Sequence, residues 1–412
     1  MLSMRRSVVF VLLAGLALAP AAAAGRSLDQ RLARELARGG GASSGYAVDL
    51  TTGSVLLSVR PDVTRPPASV EKLYTSATAL ERFGPAGRLK TQVSAAAGGV
   101  NGGVVQGDLY LRGDGDPTFG AASFDHQAYG MGATIEALAS QLATAGITRV
   151  GGRVIGDESF LDSRRGEPSS GYAIDPFLTG ELSGLAFDRG FANVAGSMLQ
   201  RDPPLVAANA LRNALTRRGV AVVGRATVGI TPTAAIPLAG VSSPPIARLV
   251  SLMDTPSDNF IAEMLIKDLG ARFGGAGTTA AGARVIRSGA RRFGARPQVV
   301  DGSGLSRSDH SSARMLVQLL AGVQNESIGS FLRSALPLAG RSGTLASRMR
   351  GTPADGRCQA KTGTLSDVSS LAGYCRTPAG HDVAFALLYD SVNVDSAHSS
   401  QDLIAADLAR LG

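Results

Sequence analysis

Only four lysines, Lys72, Lys90, Lys267 and Lys361, stand in a 412-residue chain whose positive charge is otherwise carried by arginine. Arginine stays protonated at any working pH, whereas a desolvated lysine can shed its proton and act as a base. Positions that keep lysine are therefore candidates for proton transfer. Lys72 closes Ser69-Val70-Glu71-Lys72, which follows Pro66-Pro67, and Val70, Leu73, Ala77 and Leu80 recur at helical spacing. The pattern predicts a buried helix that opens at Ser69, with positions i and i+3 on one face, so that the Lys72 amine reaches the Ser69 hydroxyl. A helix N-terminus also offers free N–H groups and positive dipole to a developing oxyanion. Such a pair could be a nucleophile and its base, but a serine three places ahead of a lysine also arises by chance.

Two further pieces follow in order. Ser257-Asp258-Asn259 sits at the start of an amphipathic stretch marked by Phe260, Met264, Leu265 and Leu269. Lys361-Thr362-Gly363-Thr364 lies in a predicted strand, where Lys361 and Gly363 share a face and Gly363 leaves room for a ligand to approach the backbone. Singly, S-D-N reads as a helix cap and K-T-G as a turn. Together with S-x-x-K they form the signature of penicillin-binding proteins and class A β-lactamases. Four longer stretches narrow the choice: GDLYLRGDGDPTF (107–119), DGSGLSRSDHSS (301–312), LPLAGRSGTLASRM (336–349) and AKTGTLSDVSSLAGY (360–374). With them the chain, from about Tyr46 to Asn393, resembles the low-molecular-mass class C penicillin-binding proteins. These are the D-alanyl-D-alanine carboxypeptidase/endopeptidases of peptidase family S13.

The resemblance implies a serine peptidase acting on peptidoglycan peptides and acylated by β-lactams, with no cofactor and no metal. Ser69 would attack the carbonyl between two terminal D-alanines, Lys72 would take its proton, Ser257 would relay a proton to the leaving amine and Asn259 would hold the substrate amide. Lys361 and Thr362 would hold the terminal carboxylate, with an oxyanion hole from the N–H groups of Ser69 and Thr364. Gly363, Asp258, Ser303 and Gly304 are further candidate substrate contacts. Relatives continue after LTGELSGLAFDRG (178–190) with a longer β-rich stretch, and they commonly carry a tyrosine where this chain has Leu178.

The elements around these motifs give an α/β (α+β) reading: an antiparallel sheet flanked by helices, of the β-lactamase/transpeptidase type that the resemblance implies. GYAVDLTTGSVLLSV reads as a hairpin turning at Thr51-Thr52-Gly53, HDVAFALLY as a strand and SAHSSQDLIAADLARL as a closing helix. Ser69 and Ser257 stand 188 residues apart (257 − 69), room for an inserted mixed α/β domain. The expected organisation is a leader at 1–24, a catalytic domain at 25–88 and 245–412, and an insert at 89–244, shortened relative to the family. Arg5 and Arg6, the apolar run Val8 to Leu18 and Ala22-Ala23-Ala24 read as an export leader. Export would place the protein in the periplasm or outside the cell in association with the cell wall, without a stable membrane anchor.

There Cys358 and Cys375, about equally far from a Leu365-Ser366-Asp367 turn, can oxidise to a structural disulfide. The net charge of +8, about +6 without Arg5 and Arg6 (8 − 2), is scattered, aromatics are 5% and Trp is absent, so a nucleic-acid partner is not indicated.

Competing chemistries have weaker support. A class A β-lactamase needs a glutamate downstream of S-D-N, and none occurs between Glu263 and Glu326. Gly41-Ala42-Ser43-Ser44-Gly45 fits G-x-S-x-G, but a helix precedes it and a strand follows, the reverse of a nucleophile elbow, so it reads as a flexible link. His126, His310, His381 and His398 lack the context of a Ser-His-Asp triad, and no residue cluster has metal-ligand spacing. A fold that has lost turnover and only binds cell wall remains an alternative.

Overall fold

The computed structural model describes residues 21–412 except 194, 195 and 197. Most of the expected leader, from Arg5 to Leu18, lies outside the described residues. Among the described residues no helix is long and apolar enough to cross a membrane.

A five-stranded antiparallel sheet runs in the order Cys358–Thr364, Val368–Arg376, Asp382–Asp390, Ser43–Asp49, Val55–Val59. Its central strand is apolar on both faces, as a strand covered on both sides must be. Val383, Phe385, Leu387 and Tyr389 pack with Leu28, Leu32 and Leu36 of the helix Ala21–Arg38 and with Ile404 and Leu408 of the helix Val394–Ala409. Ala384, Ala386 and Leu388 face the other way, into the larger core with Tyr74, Phe260, Leu316 and Leu320. The small alanines on that face let the inner helices lie close to the sheet. Cys358 and Cys375 are register partners and form the expected disulfide.

Two expectations are corrected here. The stretch 41–45 is not a flexible link: Ser43 begins a strand, and Ser43 and Ser44 are buried. Its residues are small because a Cβ on Gly45 would lie 2.8 Å from Leu57 Cδ2 and 3.0 Å from Leu36 Cδ2, so low bulk here signals close packing. The helix after S-D-N is not amphipathic either. Asn259–Phe273 is buried without a break from Phe260 to Gly270, because it runs through the middle of the helical layer.

Between Phe83 and Ile246 the chain builds a second body. Its main sheet runs Thr227–Val228, Val154–Asp157, Leu109–Gly113, Lys90–Ala95, Ile236–Ser242, mixing parallel and antiparallel pairs. The helices Ile135–Thr144 and Pro203–Arg217 close a separate core around Leu111, Leu138, Leu142, Leu211 and Leu215.

Candidate active site

Ser69 lies in a short 3-10 turn, Ala68–Glu71, and the α-helix proper begins at Lys72. The expected α-helical start at Ser69 is thus a tighter turn, and the i, i+3 relation survives because 3-10 geometry eclipses those positions. Lys72 Nζ lies 3.0 Å from Ser69 Oγ, 2.7 Å from Asn259 Oδ1 and 2.7 Å from the Ser303 carbonyl oxygen. Ser257 Oγ accepts from Lys361 Nζ at 2.8 Å, and the same amine donates to the Thr362 carbonyl at 2.9 Å. All five residues proposed for catalysis, distant in sequence, thus form two connected clusters. Both amines are fully buried, whereas Ser69, Ser257 and Asn259 keep partial exposure.

The backbone is held in unusual shapes at the two serines. Ser257 has φ 67° and Ala68, just before Ser69, has φ 48°. A left-handed non-glycine residue costs of order 1–3 kcal/mol and persists only where its surroundings impose it. At Ala68 the imposing neighbour is Gly304, also left-handed at φ 81°, whose missing side chain would otherwise sit 1.9 Å from the Ala68 carbonyl oxygen.

Gly304 and Ser303 are therefore buried supports behind the nucleophile turn and Lys72, and do not face the cleft. Gly363 is likewise corrected: a Cβ there would lie 2.6 Å from the Pro67 carbonyl oxygen and 3.0 Å from the Ser69 nitrogen. The room it leaves is filled by the 67–69 turn, which draws the Ser69 N–H against the strand.

Asp258 also serves the framework. Its Oδ1 accepts from the Ile261 N–H at 2.9 Å, capping the Asn259 helix, and Arg189 of the second body grips the carboxylate at 2.5 and 3.2 Å. The Arg189 guanidinium also stacks over the Phe260 ring, 4.8 Å from its centroid.

Thr362 and Thr364 belong to the edge strand. At its start the Ala360 N–H is covered by the Pro337 carbonyl at 3.0 Å. Antiparallel alternation points the N–H groups of Thr362 and Thr364 out of the same edge, beyond that cover. Thr362 Oγ1 meets Thr344 Oγ1 at 2.7 Å. Thr344 comes from the 336–349 stretch, and nothing in its spacing marks it.

Burial pulls the Lys72 amine down to about 8, against the partly opposing charge of Asp301, Asp254 and Glu263. Burial lowers Lys361 further, to about 7, and the neighbouring Lys72 charge adds to it, so in the empty site Lys361 gives up its proton before Lys72 does. Behind Lys72 sits a set of buried acids that the sequence alone did not reveal. Glu71 is held well above the carboxylate range by burial and by Asp301. Asp309 is pushed up to about 11 by burial and by Asp301, while its Oδ1 accepts the Val300 N–H at 2.6 Å. Asp301 accepts the N–H groups of Ser303, Gly304 and Ser306 at 3.0, 2.6 and 2.7 Å, bending the loop so that the Ser303 carbonyl faces Lys72. Among the described residues no group of His, Cys, Asp and Glu side chains could hold a metal.

The model of the D-Ala-D-Ala carboxypeptidase 3 (S13) family matches residues 26–174 and 184–411. The chain belongs to that family. The match is interrupted at 175–183, a stretch that includes Leu178. The D-alanyl-D-alanine carboxypeptidase of Actinomadura sp. (strain R39) is 31% identical over 451 aligned positions, covering 90% of this chain and 81% of the relative. That alignment is longer than the chain itself, so the relative carries segments that are absent here. Carboxypeptidase Rv3627c of Mycobacterium tuberculosis is 31% identical over 385 residues, covering 89% of this chain and 80% of its own. Among solved structures, penicillin binding protein 4 of Haemophilus influenzae superposes with TM-score 0.78 at 18% identity, over 92% of this chain and 99% of that one. That likeness establishes the fold, an α+β sheet-and-helix architecture.

Proposed function

We propose that the chain is an exported serine-type D-alanyl-D-alanine carboxypeptidase/endopeptidase that cleaves peptidoglycan stem peptides through a Ser69 acyl-enzyme. The observation that carries this reading is the three-way hold on Lys72 Nζ. Asn259 Oδ1 and the Ser303 carbonyl can only accept, so they consume two N–H bonds of a neutral amine. The lone pair is then left for the hydroxyl of Ser69. A stem peptide would lie along the open edge of the Lys361 strand as an added strand. Ser69 Oγ attacks the carbonyl carbon and its proton passes to Lys72. The oxyanion sits between the N–H groups of Ser69 and Thr364. Ser257 gives its proton to the leaving nitrogen and is resupplied by Lys361. Water then cleaves the ester: Lys72 returns a proton to Ser69, and the water's proton refills Lys361 through Ser257.

The terminal carboxylate falls to Lys361 and Thr362, and β-lactams acylate Ser69 by the same first step. In this reading residues 25–88 and 245–412 form the catalytic domain and 89–244 the insert. The protein works in the periplasm or at the cell wall after losing residues 1–24. Digestion of purified peptidoglycan fragments tests it: free D-alanine or cleaved cross-links appear with the wild type and not with Ser69→Ala. Absence of both products from unlabelled wild type, in a preparation of which a separate aliquot is acylated by penicillin, would overturn it.

A further inference from the structure

The far end of the Lys361 strand carries a second polar site. Beyond the Cys358–Cys375 disulfide the ladder continues for one rung, the Arg376 N–H donating to the Arg357 carbonyl at 3.0 Å. Arg357 and Arg376 therefore stand directly opposite each other, an arrangement that like charges disfavour in a sheet. A third guanidinium joins them. Arg333 lies over the Tyr374 ring, 5.1 Å from its centroid, with Nε on Gln359 Oε1 at 3.0 Å and Nη2 on Asp382 Oδ1 at 2.9 Å. The three arginines, with Gln359 and the Thr377–Gly380 turn, line a cavity of about 390 Å³.

One carboxylate contacts two of the three cations. Asp382 is bound by Arg333, and its second oxygen is 4.0 Å from Arg376. Arg357 has no side-chain partner among the described residues. The cavity thus holds about two unbalanced positive charges, fixed side by side by the disulfide one rung away. Guanidinium groups lining one concave site match a tetrahedral, multiply charged oxyanion better than a single carboxylate, which this site already contains. Arg357 lies four residues before Lys361, about 13 Å along the strand, so occupancy there leaves the cleft free.

We propose that this pocket binds a phosphate group, and that it holds the protein on a phosphate-bearing component of its surroundings. The inference does not rest on the peptidase reading. Its test is isothermal titration of the full mature protein with inorganic phosphate and polyphosphate, beside sedimentation with phosphatidylglycerol and phosphatidylcholine vesicles. The wild type binds polyphosphate in a salt-sensitive way. The double variant Arg357→Ser/Arg376→Ser binds at least about tenfold more weakly, as loss of two charge-assisted contacts requires. Its penicillin acylation rate stays unchanged, and relief of the like-charge pair leaves its melting temperature at or above that of the wild type. Arg376→Glu alone gives the same loss. Binding of polyphosphate without binding of phosphatidylglycerol assigns a free polymer, and binding of phosphatidylglycerol but not phosphatidylcholine assigns a lipid headgroup. Variants that bind every probe as the wild type does, or a wild type that binds none, would overturn the proposal.

Discussion

Lys72 and Lys361 are both buried amines at one site, yet their surroundings differ in a way that separates their roles. Lys72 is enclosed by three oxygens and a shell of acids, with every direction of its nitrogen spoken for. Lys361 has two oxygen partners, Ser257 and its neighbour's carbonyl, and its charge is opposed by Lys72. The first setting suits a base whose lone pair is aimed at one hydroxyl. The second suits a cation with a hydrogen-bonding direction left for an incoming anion. The two are linked: a carboxylate arriving at Lys361 raises that amine's affinity for its proton, and the restored charge keeps Lys72 neutral. Substrate binding would thereby prepare the base.

Mutations can break this contrast at different depths. Ser69→Ala, which removes the atom that Lys72 serves, abolishes covalent labelling by fluorescent penicillin, while equal labelling of variant and wild type would defeat the nucleophile assignment. Lys361→Gln keeps a hydrogen-bond donor but removes the charge. Its kcat/KM for peptide falls by about 10²-fold or more, as for the loss of one buried charged donor, and steady-state kinetics would show the loss partly in KM. Parity with the wild type would remove Lys361 from carboxylate binding.

Arg189→Ala acts one step further out, through Asp258 and the start of the Asn259 helix. Acylation slows about tenfold and unfolding free energy falls by about 1.5–3 kcal/mol, with Arg189→Lys restoring only part of each because lysine cannot form the two-pronged contact. Chemical denaturation and acylation kinetics would detect both effects, and an intact acylation rate would reduce Arg189 to packing. Glu71→Gln is the mildest. Because burial already keeps this carboxyl protonated, the isosteric amide changes acylation by less than about twofold. A large loss would mean that Glu71 is charged in the working enzyme.

What the sequence disclosed follows the range of each interaction. Ser69 and Lys72, the S-D-N cap, the K-T-G strand and the cysteine register are local spacings, and the structure keeps them together as read. The apolar sheet strands and closing helix were legible for the same reason. Features made by chain segments meeting across the fold were not. Arg189 reaches Asp258 from the second body, and no spacing links them. Asp301 and Asp309 acquire their meaning only when the loop folds behind Lys72. Small residues misled in a consistent way: at 41–45 and at Gly363, absent side chains signalled backbone packed against neighbouring protein, where mobility and ligand room had been expected.

The central claim is that a neutral Lys72 amine activates Ser69, and the pH dependence of penicillin acylation tests it most directly. With Lys72 titrating at about 8 and Lys361 at about 7, the wild-type rate constant rises from the acid side as Lys72 loses its proton, peaks between those values and falls on the alkaline side as Lys361 loses its own. Lys72→Arg, which keeps the charge and cannot release the proton, stays unacylated across the range. A flat wild-type profile, or near-normal acylation of Lys72→Arg, would contradict the account.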